Sequence, residues 1–205
     1  MVAPAPAAPR FLGVLGIAFV LGAFTAAKST SDAYHYGTES RAREIESARA
    51  DQAVWDFAKA QSGNQVPAHA QPLADSARTG LVDLMLRRRP ILEALAVTNA
   101  VLCALLAAFA MSAMRLRPTG RAWLVQAAIA GMVFAIVQTV LLAMFRMEQI
   151  GVLLPYLRAI EFPAFRAMGA VPDVLAGLVK IAFLVYLVIV MRRPAVRAMY
   201  RTEAR

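Results

Sequence analysis

The chain has 205 residues, of which 60% are hydrophobic and only 17% charged, with a net charge of +9. Soluble domains carry about 25% charged and about 45–50% apolar residues, so composition argues against an ordinary water-soluble fold. The basic excess is not a nucleic-acid signature either. Five of the arginines lie in Arg192–Arg205 and three in Arg115–Arg121, short pieces flanking apolar runs, where Lys and Arg set membrane orientation.

Residues 1–10 open with MVAPAPAAP, an Ala/Pro-rich stretch that reads as a disordered start. The first apolar run, 11–27, ends in Thr25-Ala26-Ala27. Preceded by Arg10, it has some features of a signal sequence. Its length exceeds the usual h-region of about 7–15 residues, which favours a retained first membrane helix.

Residues 28–90 carry nine basic and eight acidic residues. After a connector, 38–62 reads as one helix, capped by Thr38 or Ser40 and ended by Gly63-Asn64. Its charges pair at helical spacing: Glu39 with Arg43, Glu46 with Arg49, Asp56 with Lys59. Its apolar face is thin, consisting of Ile45, Ala48, Trp55 and Ala58. A linker, QVPAHAQP, leads to a second helix that Pro90 should stop or kink. Residues 28–90 are thus expected to form an extracytoplasmic helical hairpin. Its core is too small to stand alone.

Two further spans are expected at 91–114 and 122–145, because crossing a hydrocarbon core takes about 17–25 helical residues and lipid leaves every backbone amide to be satisfied within the helix. The short turn between them makes them antiparallel neighbours. In span two, Ala96, Ala100, Ala104, Ala108 and Ser112 recur every fourth residue. In span three, Ala127, Gly131, Ala135, Thr139 and Ala143 do the same. Residues four apart share a helix face, and small residues let helix backbones approach in lipid. The two stripes are expected to face each other. Span one has a shorter version in Ala18, Gly22 and Ala26.

Residues 146–173 are apolar but interrupted by Pro155, Pro163 and Pro172, and they carry Arg158, Glu161 and Arg166. They read as an interfacial or re-entrant segment. Span four is expected at 174–191, followed by a basic cytoplasmic tail, 192–205. In the tail Val196, Met199 and Tyr200 share a face opposite arginines. That pattern suits contact of Arg192, Arg193, Arg197 and Arg201 with anionic lipid.

Lys180 lies inside span four. A charge at the centre of a membrane helix costs about 2.5–3.5 kcal/mol on insertion scales, and such charges usually pair. With a rise of about 1.5 Å per residue, Lys180, Asn99 and Gln138 fall within ~4–7 Å of their span centres, all toward the outer side. Glu93 sits higher in span two. These four residues form a candidate intramembrane polar cluster. It serves as structural glue, as a pairing point for another subunit, or as a transport site.

Catalytic and cofactor signatures are missing from the sequence. The single cysteine, Cys103, offers neither an intrachain disulfide nor zinc spacing. The two histidines, His35 and His69, lie outside the spans, against a haem held between membrane helices. No metalloprotease, serine-hydrolase or phosphate-loop motif occurs.

The expectation is therefore an all-α integral membrane protein. It has four transmembrane helices, a helical extracytoplasmic loop between spans one and two, and both termini cytoplasmic. No catalytic, cofactor or metal residues are assigned. The partners expected are the lipid bilayer and other membrane subunits or further copies of the chain, with no nucleic acid. With short basic termini and a loop lacking its own core, the leading function is a non-enzymatic accessory or scaffolding subunit. The alternatives are a small transporter or channel working through the Lys180 cluster, and a ligand sensor with a separate output partner.

Overall fold

A computed structural model of the chain describes residues 8–37, 42–62, 67–162 and 170–202, and among these it is all helical. The helices are α1 (Ala8–Gly37), α2 (Ala42–Ser62), α3 (Gln71–Met114), α4 (Pro118–Ala159), α5 (Ala170–Arg192) and α6 (Pro194–Thr202). A 3₁₀ turn, Ala68–Ala70, leads into α3.

Four helices (α1, α3, α4 and α5) are long and apolar enough to span a membrane. In the most apolar 18-residue window of each, no more than 28% of the residues are buried. Large apolar side chains point outward instead: Phe24 is 70% exposed, Val179 63% and Val133 61%. Many of the positions they leave for the interior are small, such as Ala18, Ala110 and Ala128. Water penalises so much exposed apolar surface, whereas lipid tails do not.

Two expected boundaries are absent. Pro90 does not stop α3, which has 44 residues, about 66 Å at ~1.5 Å per residue. Pro155 does not stop α4, which has 42 residues, about 63 Å by the same rise. Each is about twice the ~30 Å hydrocarbon thickness. Residues 146–159, read as part of an interfacial segment, are continuous helix with span three. The expected caps Thr38 and Ser40, the stop Gly63-Asn64, and Pro163 and Arg166 lie outside the described residues. So do residues 1–7 and 203–205, while the side chains of Ile45, Ala58, Lys59, Pro172 and Arg201 are likewise not described.

The chain divides into two compact units: residues 1–32, 95–137 and 177–205 form the first, and 33–94 and 138–176 the second. In the first unit, parts of α1, α3, α4 and α5 surround Leu15, Ala18, Leu106, Ala110, Leu124, Ala128, Leu187 and Met191. Helix α6 closes the set with Val196 and Tyr200, both buried. The Tyr200 hydroxyl donates to the Ala113 carbonyl at 2.9 Å, and its ring meets Phe11 edge-on. Burial pushes the Tyr200 pKa up to about 12 against the opposing pull of Arg121, so the hydroxyl keeps the proton it donates.

The small-residue stripes divide differently from the expectation. Ala104 and Ala108 of α3 are exposed, and the buried line on that helix is Asn99, Cys103, Leu106, Ala107, Ala110 and Ala113. On α4, Ala127, Gly131 and Ala135 are buried, Thr139 and Ala143 half-buried. A Cβ at Gly131 would meet Leu184 of α5 at 3.3 Å. At the turn joining α3 to α4, a Cβ at Gly120 would lie 2.7 Å from the Ser112 carbonyl carbon and 2.8 Å from the Ala113 nitrogen; a second close backbone approach involves α1. A Cβ at Gly22 would lie 2.9 Å from the Cys103 carbonyl oxygen and 3.1 Å from the Ala107 nitrogen. Helix α3 therefore makes tight contacts with α4 at Ser112, next to their turn, and with α1 at Cys103 and Ala107.

The second unit has a core of its own: Ala50 and Val54 of α2, Ala70, Ala74, Ala77 and Leu81 leading into and along α3, and Leu153, Tyr156, Leu157 and Ile160 at the end of α4. The expected hairpin therefore gains the core it lacked from residues read as interfacial. The Tyr156 hydroxyl donates to the Val54 carbonyl at 3.3 Å. On α2 the buried face is Glu46, Ala50 and Val54, while Ala48 is exposed and Trp55 is 45% exposed. The expected Glu46–Arg49 pair forms at 3.0 Å. His69 contacts the Ala159 carbonyl through Nε2 at 3.0 Å, serving one of the free carbonyls that end a helix.

Two helix ends carry left-handed residues that are not glycine, Leu116 (φ 56°) and Glu161 (φ 54°). At each, the two amides beyond the helix fold back on its last turn: Leu116 N to Ala113 O and Arg117 N to Ser112 O, then Glu161 N to Arg158 O and Phe162 N to Leu157 O. This is the Schellman ending, made without the glycine that would announce it in a sequence.

Candidate functional site

The candidate site lies in the first unit, around Lys180 of α5. Lys180 Nζ donates to Asn99 Oδ1 of α3 at 2.6 Å. Asn99 Nδ2 in turn donates to Ser29 Oγ of α1 at 2.7 Å. The Cys103 thiol, one helical turn along α3, donates to the same Asn99 oxygen at 3.7 Å. Phe134 of α4 presents its ring 5.8 Å from Lys180 Nζ, within reach of a cation–π attraction. Three of the apolar helices therefore contribute polar groups to one layer, and α4 lends it an aromatic face.

Asn99 organises this layer. It is 6% exposed, and so is Ser29. Its amide accepts from Lys180 and Cys103 and donates to Ser29, so both ends are occupied. In an apolar interior an unsatisfied amide would cost several kcal/mol. The ammonium has three donors and is half-buried.

Of the expected cluster, the structure brings Lys180 and Asn99 together. Glu93 and Gln138 belong to the second unit, and each is half-buried there. Ser29, Cys103 and Phe134 were not among the expected members. Ser29 was hidden by the reading that ended span one at Ala27, whereas α1 runs on to Gly37. Cys103 carried a readable signal, because it lies four residues after Asn99 and shares its face.

Among the described residues Lys180 forms no ion pair. The first unit holds only two acidic residues in its sequence, Asp32 and Glu203. A cavity of about 20 Å³ adjoins the ammonium, lined by Asn99, Cys103, Phe134, Gly131 and Leu184. That is room for a single water.

The second unit handles charge differently. Arg88 of α3 grips Glu148 of α4 with two bonds, Nε to Oε2 at 3.0 Å and a short one from the terminal nitrogen to Oε1. The middle member of the Arg87–Arg89 run is thus neutralised within its unit. Arg78 bridges Asp51 at 2.7 Å and Asp75 at 3.3 Å. No group of three or more metal-ligating side chains occurs among the described residues.

Compared with protein-family models, curated proteins and solved structures, the chain shows no significant match. Among the described residues the structure is all helical, with four helices long and apolar enough to span a membrane. Three of them are tied together by hydrogen bonds that run from Lys180 through Asn99 to Ser29.

Proposed function

We propose that this is a non-enzymatic, multi-pass membrane protein that serves as an accessory or scaffolding subunit of a larger membrane assembly, with both termini on the cytoplasmic side. The observation that supports this reading is Lys180, an ammonium within an apolar helix whose hydrogen-bond partner is a neutral amide. The insertion cost of such a charge is about 2.5–3.5 kcal/mol. Hydrogen bonds between membrane helices average about 0.6 kcal/mol. Asn99 therefore offsets only part of the cost. A carboxylate on a membrane helix of another subunit, or of a second copy, would offset the rest.

The transporter reading draws less support. Transport through Lys180 calls for a continuous aqueous route, and the space beside the ammonium has room for about one water.

The test is the mass of the gently solubilised protein, wild type beside Lys180→Met. The expected result is a species well above 22.1 kDa that dissociates in the variant. A lone 22.1 kDa chain, unchanged by the substitution, would overturn the proposal.

A further inference from the structure

Five arginines stand at the end of the first unit where α3 turns into α4 and α5 turns into α6. Arg115, Arg117, Arg192, Arg193 and Arg197 are all exposed, and none of them forms an ion pair among the described residues. Two contacts bring the two turns side by side. The Tyr200 hydroxyl reaches the Ala113 carbonyl, and an Arg121 guanidinium nitrogen reaches the Met191 carbonyl at 2.9 Å. Arg115 and Arg117 follow Ala113 closely, and Arg192 and Arg193 follow Met191 directly.

Helix α6 is not free to lie apolar face down in lipid, because Val196 and Tyr200 are spent on the core of the unit. Its packing fixes Arg197 on the outside. One turn before Arg115 stands Met111, 39% exposed, and one turn before Arg193 stands Ile189, 52% exposed. Apolar surface thus gives way to guanidinium within about 6 Å along each helix. Trp123, 53% exposed and stacked on Phe109, lies one turn into α4 from the same end. Amphipathic aromatics collect at the headgroup level of a bilayer.

From this arrangement we propose that the arginine end of the first unit is a docking site for anionic phospholipids. The phosphate is taken by guanidiniums from both turns, and the acyl chains lie along the apolar surface beyond Met111 and Ile189. Guanidinium pairs with phosphate through parallel N–H donors, and the unit offers almost no carboxylate to compete. The continuity of apolar surface with the arginines selects a lipid over a free anion. This inference rests on membrane placement of the four apolar helices and is independent of the subunit role.

The experiment uses the full chain in nanodiscs of phosphatidylcholine containing a minor fraction of phosphatidylglycerol. Lipids retained on gentle release are counted by native mass spectrometry. The expected result is enrichment of phosphatidylglycerol on the wild type. That enrichment falls about fivefold per arginine in R115Q/R117Q and in R192Q/R193Q, and it survives in the matching Arg→Lys pairs. R158Q, at an exposed arginine of the second unit, leaves it unchanged. If a double variant fails to fold, R197Q, on the outer face of α6, carries the test with the same expected fall. Wild-type enrichment in the Gln variants would overturn the proposal, as would an equal loss in R158Q. Loss of the lipid to inorganic phosphate at matching concentration would also overturn it, by making the site one for free anions.

Discussion

In the first unit eleven basic residues stand against two acidic ones, a difference of +9. In the second, eleven stand against eleven. The whole net charge of the chain thus resides in the unit with the most outward-facing apolar helix surface. The second unit ties its charges into pairs, Arg88 with Glu148 and Arg78 with Asp51, around a core of Leu153, Tyr156, Leu157 and Ile160. That arrangement combines apolar burial with paired charges. The first unit gives Lys180 a neutral amide as its hydrogen-bond partner, brings backbones together at Gly22 and turns Phe24, Val133 and Val179 outward. That arrangement suits lipid, where close packing replaces the hydrophobic drive. Helices α3 and α4 carry both kinds of sequence in single uninterrupted rods. A change in the kind of sequence along a helix does not require a break in it.

The two tryptophans, Trp55 in the second unit and Trp123 in the first, make the contrast measurable, because each reports one unit. The largest effect is expected for Leu157→Ala, a fully buried side chain. It should lower the stability read at Trp55 by about 2–5 kcal/mol. A loss below that range would mean that burial does not hold the second unit together. Next comes Gly22→Val, which places a Cβ against the α3 backbone and should cost about 1–3 kcal/mol in the transition read at Trp123. Ala104→Leu, on the exposed side of the same α3 segment, should stay within about 0.5 kcal/mol. If Ala104→Leu proved the more harmful of the two, the face assigned to α3 would be wrong. Smaller again is Glu148→Gln. It leaves Arg88 with a neutral partner, and both side chains are more than one-third exposed. The expected loss is small and shrinks as salt is raised. Smallest is Glu161→Gly, which relieves a left-handed residue at an exposed helix end. A gain of about 0.5–1 kcal/mol is expected in denaturant titration, and a loss would show that the Glu161 side chain contributes.

The four apolar helices were legible because hydropathy over about 20 residues is a strong signal. Their ends were not. Pro90 reads as a stop or a kink and Pro155 as an interruption, yet a proline costs a helix only about 3 kcal/mol, and packing along both sides can outweigh that. The second unit's core was missed for the same reason, since Leu153, Tyr156 and Leu157 follow on from span three. The face of α3 was misread because alanine is as suitable against lipid as it is between helices. A period of four in alanine therefore carries no direction, whereas Asn99 and Cys103 mark the buried face through chemistry. Lys180 and Asn99 were matched by depth alone. Depth could not separate them from Gln138, because equal height on two helices says nothing about which way each side chain turns.

Lys180 is thus proposed to be received in part by Asn99 and in part by a carboxylate from another chain. The most direct measurement is native mass in mild detergent for the wild type, Lys180→Met and Asn99→Ala. The expected result is an assembly larger than one 22.1 kDa chain in the wild type, its loss in Lys180→Met, and its retention in Asn99→Ala with lower thermal stability. A single chain in all three, or an assembly indifferent to Lys180→Met, would contradict it.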